Sequence, residues 1–189
     1  MAVNRVERLL EKVTGALNAA GVDYAVIGGN AVAAWVATVE QQATRTTKDV
    51  DLLVRRDELA RIESVLTPHG FRLIEFLDVR MFVPRRRPNP RTGMHLLFAN
   101  ELVRPNDPYP TPDPATAATD IAEFRVIDLP GLLRLKLQAF RRVDQVHIED
   151  LLRVGLIDAA LADNLPEDLR RRLCEIRDTM EWFTEPPQF

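Results

Sequence analysis

Two periodicities of apolar residues alternate along the chain and predict a sheet with helices packed on it. Residues 3–20 and 57–66 repeat apolar side chains every three or four positions, which is the spacing of one helix face. Shorter apolar runs have the length and composition of strands. These predicted strands are residues 24–27, 49–54, 71–76, 79–83 and 94–98. Because strands and helices follow one another in this order, we expect an α/β or α+β fold with a small mixed β-sheet.

The last third of the chain has the pattern of helices. A proline-rich stretch at residues 104–119 is expected to cross the surface in an extended form, and residues 124–127 are predicted to add an edge strand. Asp128 and Pro130 have the residue types of a helix start. The last helix is predicted to run to Trp182 with its three arginines, residues 170–172, facing solvent. We expect one domain, with a sheet-containing core in residues 1–127 and a C-terminal helical segment in residues 128–189.

Composition limits the class of protein. The 189 residues, 46% of them hydrophobic, suffice for one well-packed core but hardly for two independent domains. A net charge of −3 argues against a protein that coats nucleic acid, so any RNA contact would use a local basic patch. Cys174 is the single cysteine, which excludes an internal disulfide, and the sequence shows no secretion signal or long apolar span. We therefore expect a cytoplasmic protein without a membrane segment.

The most specific chemistry is a pair of carboxylates one residue apart on a predicted strand. Side chains alternate across a strand, so Asp49 and Asp51 would project from one face and the apolar residues beside them from the other. Two like charges side by side cost free energy unless they share a proton or a cation. Carboxylate oxygens are the ligands of hard divalent cations, so the pair predicts a Mg²⁺ site.

A glycine turn lies one strand earlier. The strand at residues 24–27 runs into Gly28 and Gly29. Asn30 is placed to cap a helix that begins at Ala31. Such a turn exposes backbone N–H groups, lets a phosphate approach closely and places it at the positive end of the helix. Because successive strands are often neighbours in a sheet, the two features together predict a metal-bound nucleoside triphosphate.

With these motifs the chain resembles the nucleotidyltransferase superfamily typified by DNA polymerase beta, and within it the small bacterial proteins related to AbiEii-type abortive-infection toxins. The resemblance extends to about residue 160 and is carried by Gly28-Gly29-Asn30, by the run Arg45-Thr46-Thr47-Lys48-Asp49-Val50-Asp51-Leu52 and by residues 136–150. It implies transfer of a nucleoside monophosphate from an NTP to a hydroxyl, with Mg²⁺ on Asp49 and Asp51. It also implies nucleotide-binding roles for Gly28, Gly29, Asn30, Thr47 and Lys48.

The acceptor is not specified by the sequence. The resemblance leaves an RNA end such as that of a tRNA, a protein side chain and a small antibiotic-like molecule as alternatives, and it implies a possible antitoxin partner. A rival from another class is a non-catalytic nucleotide-binding or interaction protein that kept the fold. The two classes differ in whether the protein transfers a label from a labelled triphosphate.

The chain departs from its relatives at two places. The gap between Gly29 and Asp49 is longer than usual, so we expect a loop around residues 38–44 to project beside the site. His95 stands where relatives supply a third carboxylate, which helps hold a second metal and can receive the proton of the attacking hydroxyl. The imidazole could act as base or ligand, the site could keep one metal and transfer slowly, or catalysis could be lost. A lone histidine in a strand is also more often structural.

A lysine in the predicted helix after residue 128 falls inside an apolar stripe. At 100° per residue, Lys136 lies in the middle of the stripe formed by Leu132, Leu133 and Phe140, so its ammonium needs an anionic partner. Asp144 lies on the same face two turns on if the helix continues. Two interpretations stay open. The residues form a structural pair, or, as the resemblance implies, Lys136 reaches the triphosphate and Asp144 orients it.

A second basic feature precedes His95. Residues 84–91 are rich in proline and arginine and are predicted to form the tip of a hairpin. Four arginines there could bind RNA phosphates or a triphosphate. A solvated loop is the simpler interpretation, because the chain as a whole is acidic.

Overall fold

A computed structural model describes the chain at residues 3–40, 49–77, 79–86, 88–89 and 93–184. The helices are α1 (Val3–Ala19), α2 (Gly28–Ala37), α3 (Leu59–Leu66), α4 (Pro114–Ala117), α5 (Leu129–Ala139), α6 (Arg142–Arg153), α7 (Ala159–Asp163) and α8 (Glu167–Thr184). The strands are β1 (Tyr24–Ile27), β2 (Val50–Val54), β3 (Phe71–Phe76), β4 (Val79–Pro84), β5 (Met94–Phe98), β6 (Ala118–Thr119) and β7 (Val126–Ile127). None of the helices in these ranges is long and apolar enough to cross a membrane.

The strands of the described ranges form one mixed sheet in the order β3-β4-β5-β2-β1-β7-β6. The pairs β2–β5 and β1–β7 are parallel, and the other neighbours are antiparallel. The fold class is therefore α/β with a mixed sheet, as the sequence predicts. This topology places the end of β1 and the starts of β2 and β5 side by side. We call this end of the central strands the upper edge.

Helices cover both faces of the sheet, and the residues of β2 alternate between two cores. Val50 and Leu52 are buried in the core formed with α1 and α3. Leu53 belongs to the core formed with α2 and the C-terminal helices. Since side chains alternate along a strand, Asp51 shares the face of Leu53. The predicted alternation directs Asp51 toward the side of the sheet that carries the C-terminal helices.

The proline-rich stretch at residues 104–119 folds more than its composition predicts. Its end forms α4 and β6, and β6 pairs with β7 on the side away from β1. The strand expected within residues 124–127 is present as β7, but the expectation that it lies at the edge of the sheet is wrong because β6 lies outside it. Within the stretch, Thr111 is buried and its hydroxyl donates to the carbonyl of Phe98, while Asp113 accepts from the Ala115 N–H at 2.9 Å. Such bonds between side chains and backbone fix the course of a segment without any apolar periodicity.

A sharp corner separates α5 from α6. The start of α5 is as predicted, because the Asp128 side chain accepts from the Gly131 N–H at 2.9 Å. The helix ends where Phe140 adopts the left-handed conformation, with φ of 48°. Asp144 therefore lies in the first turn of a separate helix and not further along the helix of Lys136.

Arg172 of α8 closes the C-terminal end of α5. The sequence predicts a solvent-facing arginine, but the Arg172 guanidinium donates to the carbonyls of Leu137 and Gln138 at 2.8 and 3.0 Å. It also lies 5.0 Å from the centre of the Phe140 ring. The last carbonyls of a helix have no partner inside the helix, so this cation satisfies two of them. The contact ties α8 to the corner between α5 and α6.

Candidate functional site

Asp51 lies at the centre of a polar site on the upper edge. In the sheet register it stands opposite Ile27 of β1 on one side and opposite His95 of β5 on the other. Nδ1 of His95 is 3.1 Å from Oδ1 of Asp51, and the two side chains keep 27% and 28% of their surface exposed. The predicted metal ligand and the predicted base are thus within hydrogen-bonding distance of each other and open to solvent.

Gly28 makes the close approach between α2 and β2 possible. Its φ of +69° lies in the region that residues with a side chain disfavour. A Cβ at this position would stand 3.1 Å from Cγ of Asp51 and would overlap its Oδ2. Because α2 begins at Gly28, the Asp51 carboxylate lies beside a helix N-terminus, where free N–H groups and the helix dipole favour negative charge.

Asn30 has a different structural role from the predicted one. The helix starts at Gly28 with Ile27 at the N-cap and no side-chain cap, so the expectation that Asn30 caps a helix beginning at Ala31 is wrong. Instead, Nδ2 of Asn30 donates to the carbonyl oxygen of Asp49 at 2.7 Å. This bond fastens the first turn of α2 to the exposed residue that precedes β2. A contact of Asn30 with the nucleotide stays a prediction.

Several predicted features lie wholly or partly outside the described residues. Thr47 and Lys48 fall in the gap at residues 41–48, as does most of the loop expected around residues 38–44. Of the four hairpin arginines, Arg85 and Arg86 are described and exposed, and the Arg85 N–H donates to the Gly70 carbonyl at 2.9 Å. The hairpin joins the end of β4 to the start of β5, so its base lies at the upper edge beside His95.

Two carboxylates near this edge are of the type that Mg²⁺ prefers as ligands. Asp51 and the exposed Asp49 supply carboxylates two residues apart. The described ranges contain no group of three or more carboxylate, imidazole and thiol side chains that could hold a metal ion. Mg²⁺ commonly binds one or two carboxylates and completes its octahedron with water and substrate phosphates. The residues present therefore fit a cation that is shared with a phosphate-bearing ligand.

Lys136 and Asp144 form a buried ion pair across the corner between α5 and α6. Nζ of Lys136 donates to Oδ1 of Asp144 at 2.9 Å, and the two residues are 5% and 1% exposed. The contact between Lys136 and Asp144 that the structural interpretation predicts is therefore present. Direct binding of a nucleotide by Lys136 or Asp144 stays a prediction.

Arg141 is a third member of this cluster that sequence reasoning missed. Its Nε and its main-chain N–H donate to Oδ2 of Asp144 at 2.7 and 3.2 Å. Burial acts to raise the pKa of Asp144, but the bonds and charges of Arg141 and Lys136 outweigh it and leave the pKa below its ordinary value. The sequence signal for this contact is an arginine three residues before an aspartate at the start of a helix. Many pairs on protein surfaces have the same spacing, so the signal does not single out a buried contact.

We expect Asp144→Asn to lower the free energy of unfolding by about 3–5 kcal/mol at neutral pH, because two cations lose their buried partner. A carboxylate whose pKa is lowered on folding stabilises the protein above its unfolded pKa, and this contribution disappears as the pH falls through the folded value. The difference between wild type and variant should therefore shrink below about pH 4. Urea unfolding across this pH range measures it, with Asp178→Asn on the exposed side of α8 as the control. A difference that stays constant down to low pH would contradict the assignment.

Comparison of the sequence with family models identifies a family. The family model described as uncharacterised nucleotidyltransferase matches residues 2–120, the segment that contains Gly28, Asp49, Asp51 and His95. A search of the curated proteins finds no match.

Among solved structures, the antibiotic-resistance factor ANT(2'')-Ia in solution has 18% sequence identity and a TM-score of 0.57, covering 97% of this chain and 96% of its own. A complex of ANT(2'')-Ia with adenylyl-2''-tobramycin has 17% identity and a TM-score of 0.52, covering 92% of this chain and 97% of its own. An antigenic nucleotidyltransferase-like protein from Paracoccidioides brasiliensis has 17% identity and a TM-score of 0.61, covering 97% and 92%. At these identities the structures show a shared fold. Since the family model spans more than half of the sequence, this chain belongs to the nucleotidyltransferase family that the model describes.

Proposed function

We propose that this protein is a Mg²⁺-dependent nucleotidyltransferase that moves a nucleoside monophosphate from an NTP to a hydroxyl acceptor. The observation that carries the proposal is the contact of the Asp51 carboxylate with Gly28 at the start of α2 and with His95 on β5. A carboxylate for a metal, a helix start for phosphates and a proton acceptor meet there at one solvent-exposed edge. That combination suits phosphoryl-group chemistry.

Each residue has a defined role in this proposal. Asp49 and Asp51 hold the cation, and Gly28 and Gly29 offer main-chain N–H groups to the phosphates, with Asn30 holding the turn against Asp49. When bound, Mg²⁺ neutralises the phosphate charge that develops in the transition state. Lys136 and Asp144, which form a buried pair, take part in this proposal by supporting the binding of the phosphates.

His95 receives the proton in the proposed reaction. The acceptor hydroxyl gives its proton to the imidazole while its oxygen forms a bond to the α-phosphorus. The bond from that phosphorus to the bridging oxygen breaks, and pyrophosphate leaves. Asp51 at 3.1 Å from Nδ1 orients the ring and stabilises the charged form that results.

A solved structure of the same fold suggests which class of acceptor to test first. ANT(2'')-Ia has been solved with adenylyl-2''-tobramycin, so a small molecule with a free hydroxyl is the first acceptor to test. An RNA end, including that of a tRNA, and a protein side chain are the other two. The proposal also includes a toxin-antitoxin role with an antitoxin partner, as in AbiEii-type proteins. It includes a cytoplasmic location as well. Separate experiments test these two parts.

A non-catalytic nucleotide-binding protein is the second candidate. The observation that favours it is the same 3.1 Å contact, because an imidazole bonded to Asp51 adds no negative charge for a second metal. The two candidates share nucleotide binding and differ only in transfer.

Mg²⁺ with an NTP should raise the melting temperature, because a ligand that binds only the folded state stabilises it. At a hundred times Kd the gain is about 2.7 kcal/mol, which corresponds to roughly 5–10 °C for a chain of this size. Asp51→Asn should remove most of this shift and leave the unliganded fold intact. Differential scanning fluorimetry with each of the four NTPs measures both effects. An undiminished shift in the variant would assign the carboxylate to structure.

Gly28→Ala should abolish the ligand-induced shift, because a Cβ would displace the Asp51 carboxylate. Gly155→Ala is the matched control, since Gly155 has a similar φ of +76° but no atom within 4 Å of an added Cβ. Both variants should lose about 1–2 kcal/mol of stability from backbone strain. Only Gly28→Ala should also lose nucleotide binding, and equal ligand shifts in the two variants would contradict the site.

His95→Ala should abolish transfer while the nucleotide-induced melting shift stays close to that of wild type, because a base acts in the reaction and not in binding. His95→Asp restores a carboxylate and should preserve or increase transfer. Labelled NTPs incubated with aminoglycoside, RNA and protein fractions give the readout. Transfer by His95→Ala at the wild-type rate would make the residue a structural strand position. If neither wild type nor His95→Asp transfers the label, the non-catalytic candidate is favoured.

A further inference from the structure

The three charges at the α5–α6 corner differ in exposure. The side chains of Lys136 and Asp144 are 7% and 1% exposed, whereas that of Arg141 is 61% exposed. Lys136 and Asp144 cancel in charge, so the cluster has one net positive charge. That charge reaches solvent through Arg141.

The Arg141 guanidinium is held along one side. A guanidinium has five N–H donors in one plane. Nε and Nη2 donate to the two oxygens of Asp144 at 2.7 and 3.3 Å. Nη1 donates to no acceptor in the part of the chain that the structure describes. The other side of a fixed, planar fork is therefore available to an anion, and its geometry suits the oxygens of a phosphate.

Arg141 directly precedes α6, and α6 packs in one core with α2, the helix that begins beside Asp51. The hydrogen bond with Asp144 is the main reason that the pKa of Arg141 is raised, and the negative charge of Asp51 adds to the effect. The two side chains are therefore within electrostatic reach of each other.

We propose that Arg141 is the cation that binds the β- and γ-phosphates of the nucleotide, and that Lys136 is a positioning residue that acts through Asp144. This inference rests on the proposed nucleotidyltransferase function. It replaces direct binding by Lys136 with an ordered relay. Lys136 fixes the carboxylate, the carboxylate fixes the guanidinium, and the guanidinium binds the phosphates.

Burial favours this assignment over direct contact by Lys136. If the Lys136 ammonium turned to a phosphate, it would leave Asp144 with one cation in an environment that is 1% exposed. Separating a buried ion pair leaves an uncompensated charge, which is strongly unfavourable. Arg141 can bind a phosphate without breaking any contact, and a pre-oriented side chain loses less entropy on binding.

The test measures the affinity of the full-length protein for each Mg²⁺–NTP and for the corresponding nucleoside monophosphate. Arg141→Met should weaken NTP binding about tenfold or more, because charged hydrogen bonds to the phosphates are lost. Binding of the monophosphate, which lacks the β- and γ-phosphates, should stay unchanged. Arg142→Met is the matched control, because this exposed arginine is the next residue and donates no hydrogen bond to Asp144 in the part of the chain that the structure describes. It should alter neither affinity.

A double-mutant cycle separates positioning from direct binding by Lys136. If Lys136 acts through Arg141, the variant with both Lys136→Met and Arg141→Met should bind NTP no more weakly than Arg141→Met alone. Additive losses would identify Lys136 as a phosphate ligand and overturn the relay. Because Lys136→Met removes a buried partner, circular dichroism checks its folding. The NTP-to-monophosphate ratio of Arg141→Met decides the assignment of Arg141 independently of that variant.

Two kinds of failure are distinguishable. If wild type binds Mg²⁺–NTP but Arg141→Met binds it equally well, the assignment of Arg141 is wrong and the proposed function stands. The assignment is also wrong if Arg141→Met loses NTP and monophosphate in the same proportion. If wild type binds none of the four Mg²⁺–NTPs, the proposed function fails and the inference fails with it.

Discussion

The contact between Asp51 and Gly28 is the constraint on which the site depends. The carboxylate occupies space that a Cβ at position 28 would need, so the turn from β1 into α2 must lack a side chain. Because β2 runs antiparallel to β1, this contact brings a carboxylate to the place where a helix begins. On its other side, β2 pairs in parallel with β5, and this pairing places His95 opposite Asp51. Because Gly28 has no Cβ, the start of α2, the Asp51 carboxylate and the His95 ring can lie next to one another.

A buried carboxylate organises a second polar cluster, at the corner between α5 and α6. Asp144 is held by Lys136 and Arg141, which compensate a charge that would be costly to bury without a partner. The left-handed residue Phe140 creates the corner that lets Lys136 and Asp144 meet from two helices, and Arg172 of α8 holds that corner from outside. The polar cluster and the packing of the C-terminal helices are therefore one structural unit.

The two clusters of polar residues lie in different segments of the chain. The carboxylates and the glycine turn lie within the segment that the nucleotidyltransferase family model matches, residues 2–120. The cluster around Arg141 lies beyond it, on helices that pack over the same face of the sheet. Structures with the same fold, such as ANT(2'')-Ia, share only 17–18% of residues with this chain. A fold shared at this level of sequence identity does not by itself imply a shared acceptor.

The sequence by itself determined the features that depend on neighbours along the chain. Periodicity and residue type located β1, β3 and β5 and the helix cap at Asp128. They also predicted the face of β2 from which Asp51 projects and the need of Lys136 for an anionic partner. Only the tertiary structure decided that Asn30 bonds Asp49, that β6 covers β7, and that Arg141 shares Asp144 with Lys136. Local patterns fix the conformation and the exposed face of a segment. Which distant side chains then meet depends on how whole elements pack, and no single segment contains that information.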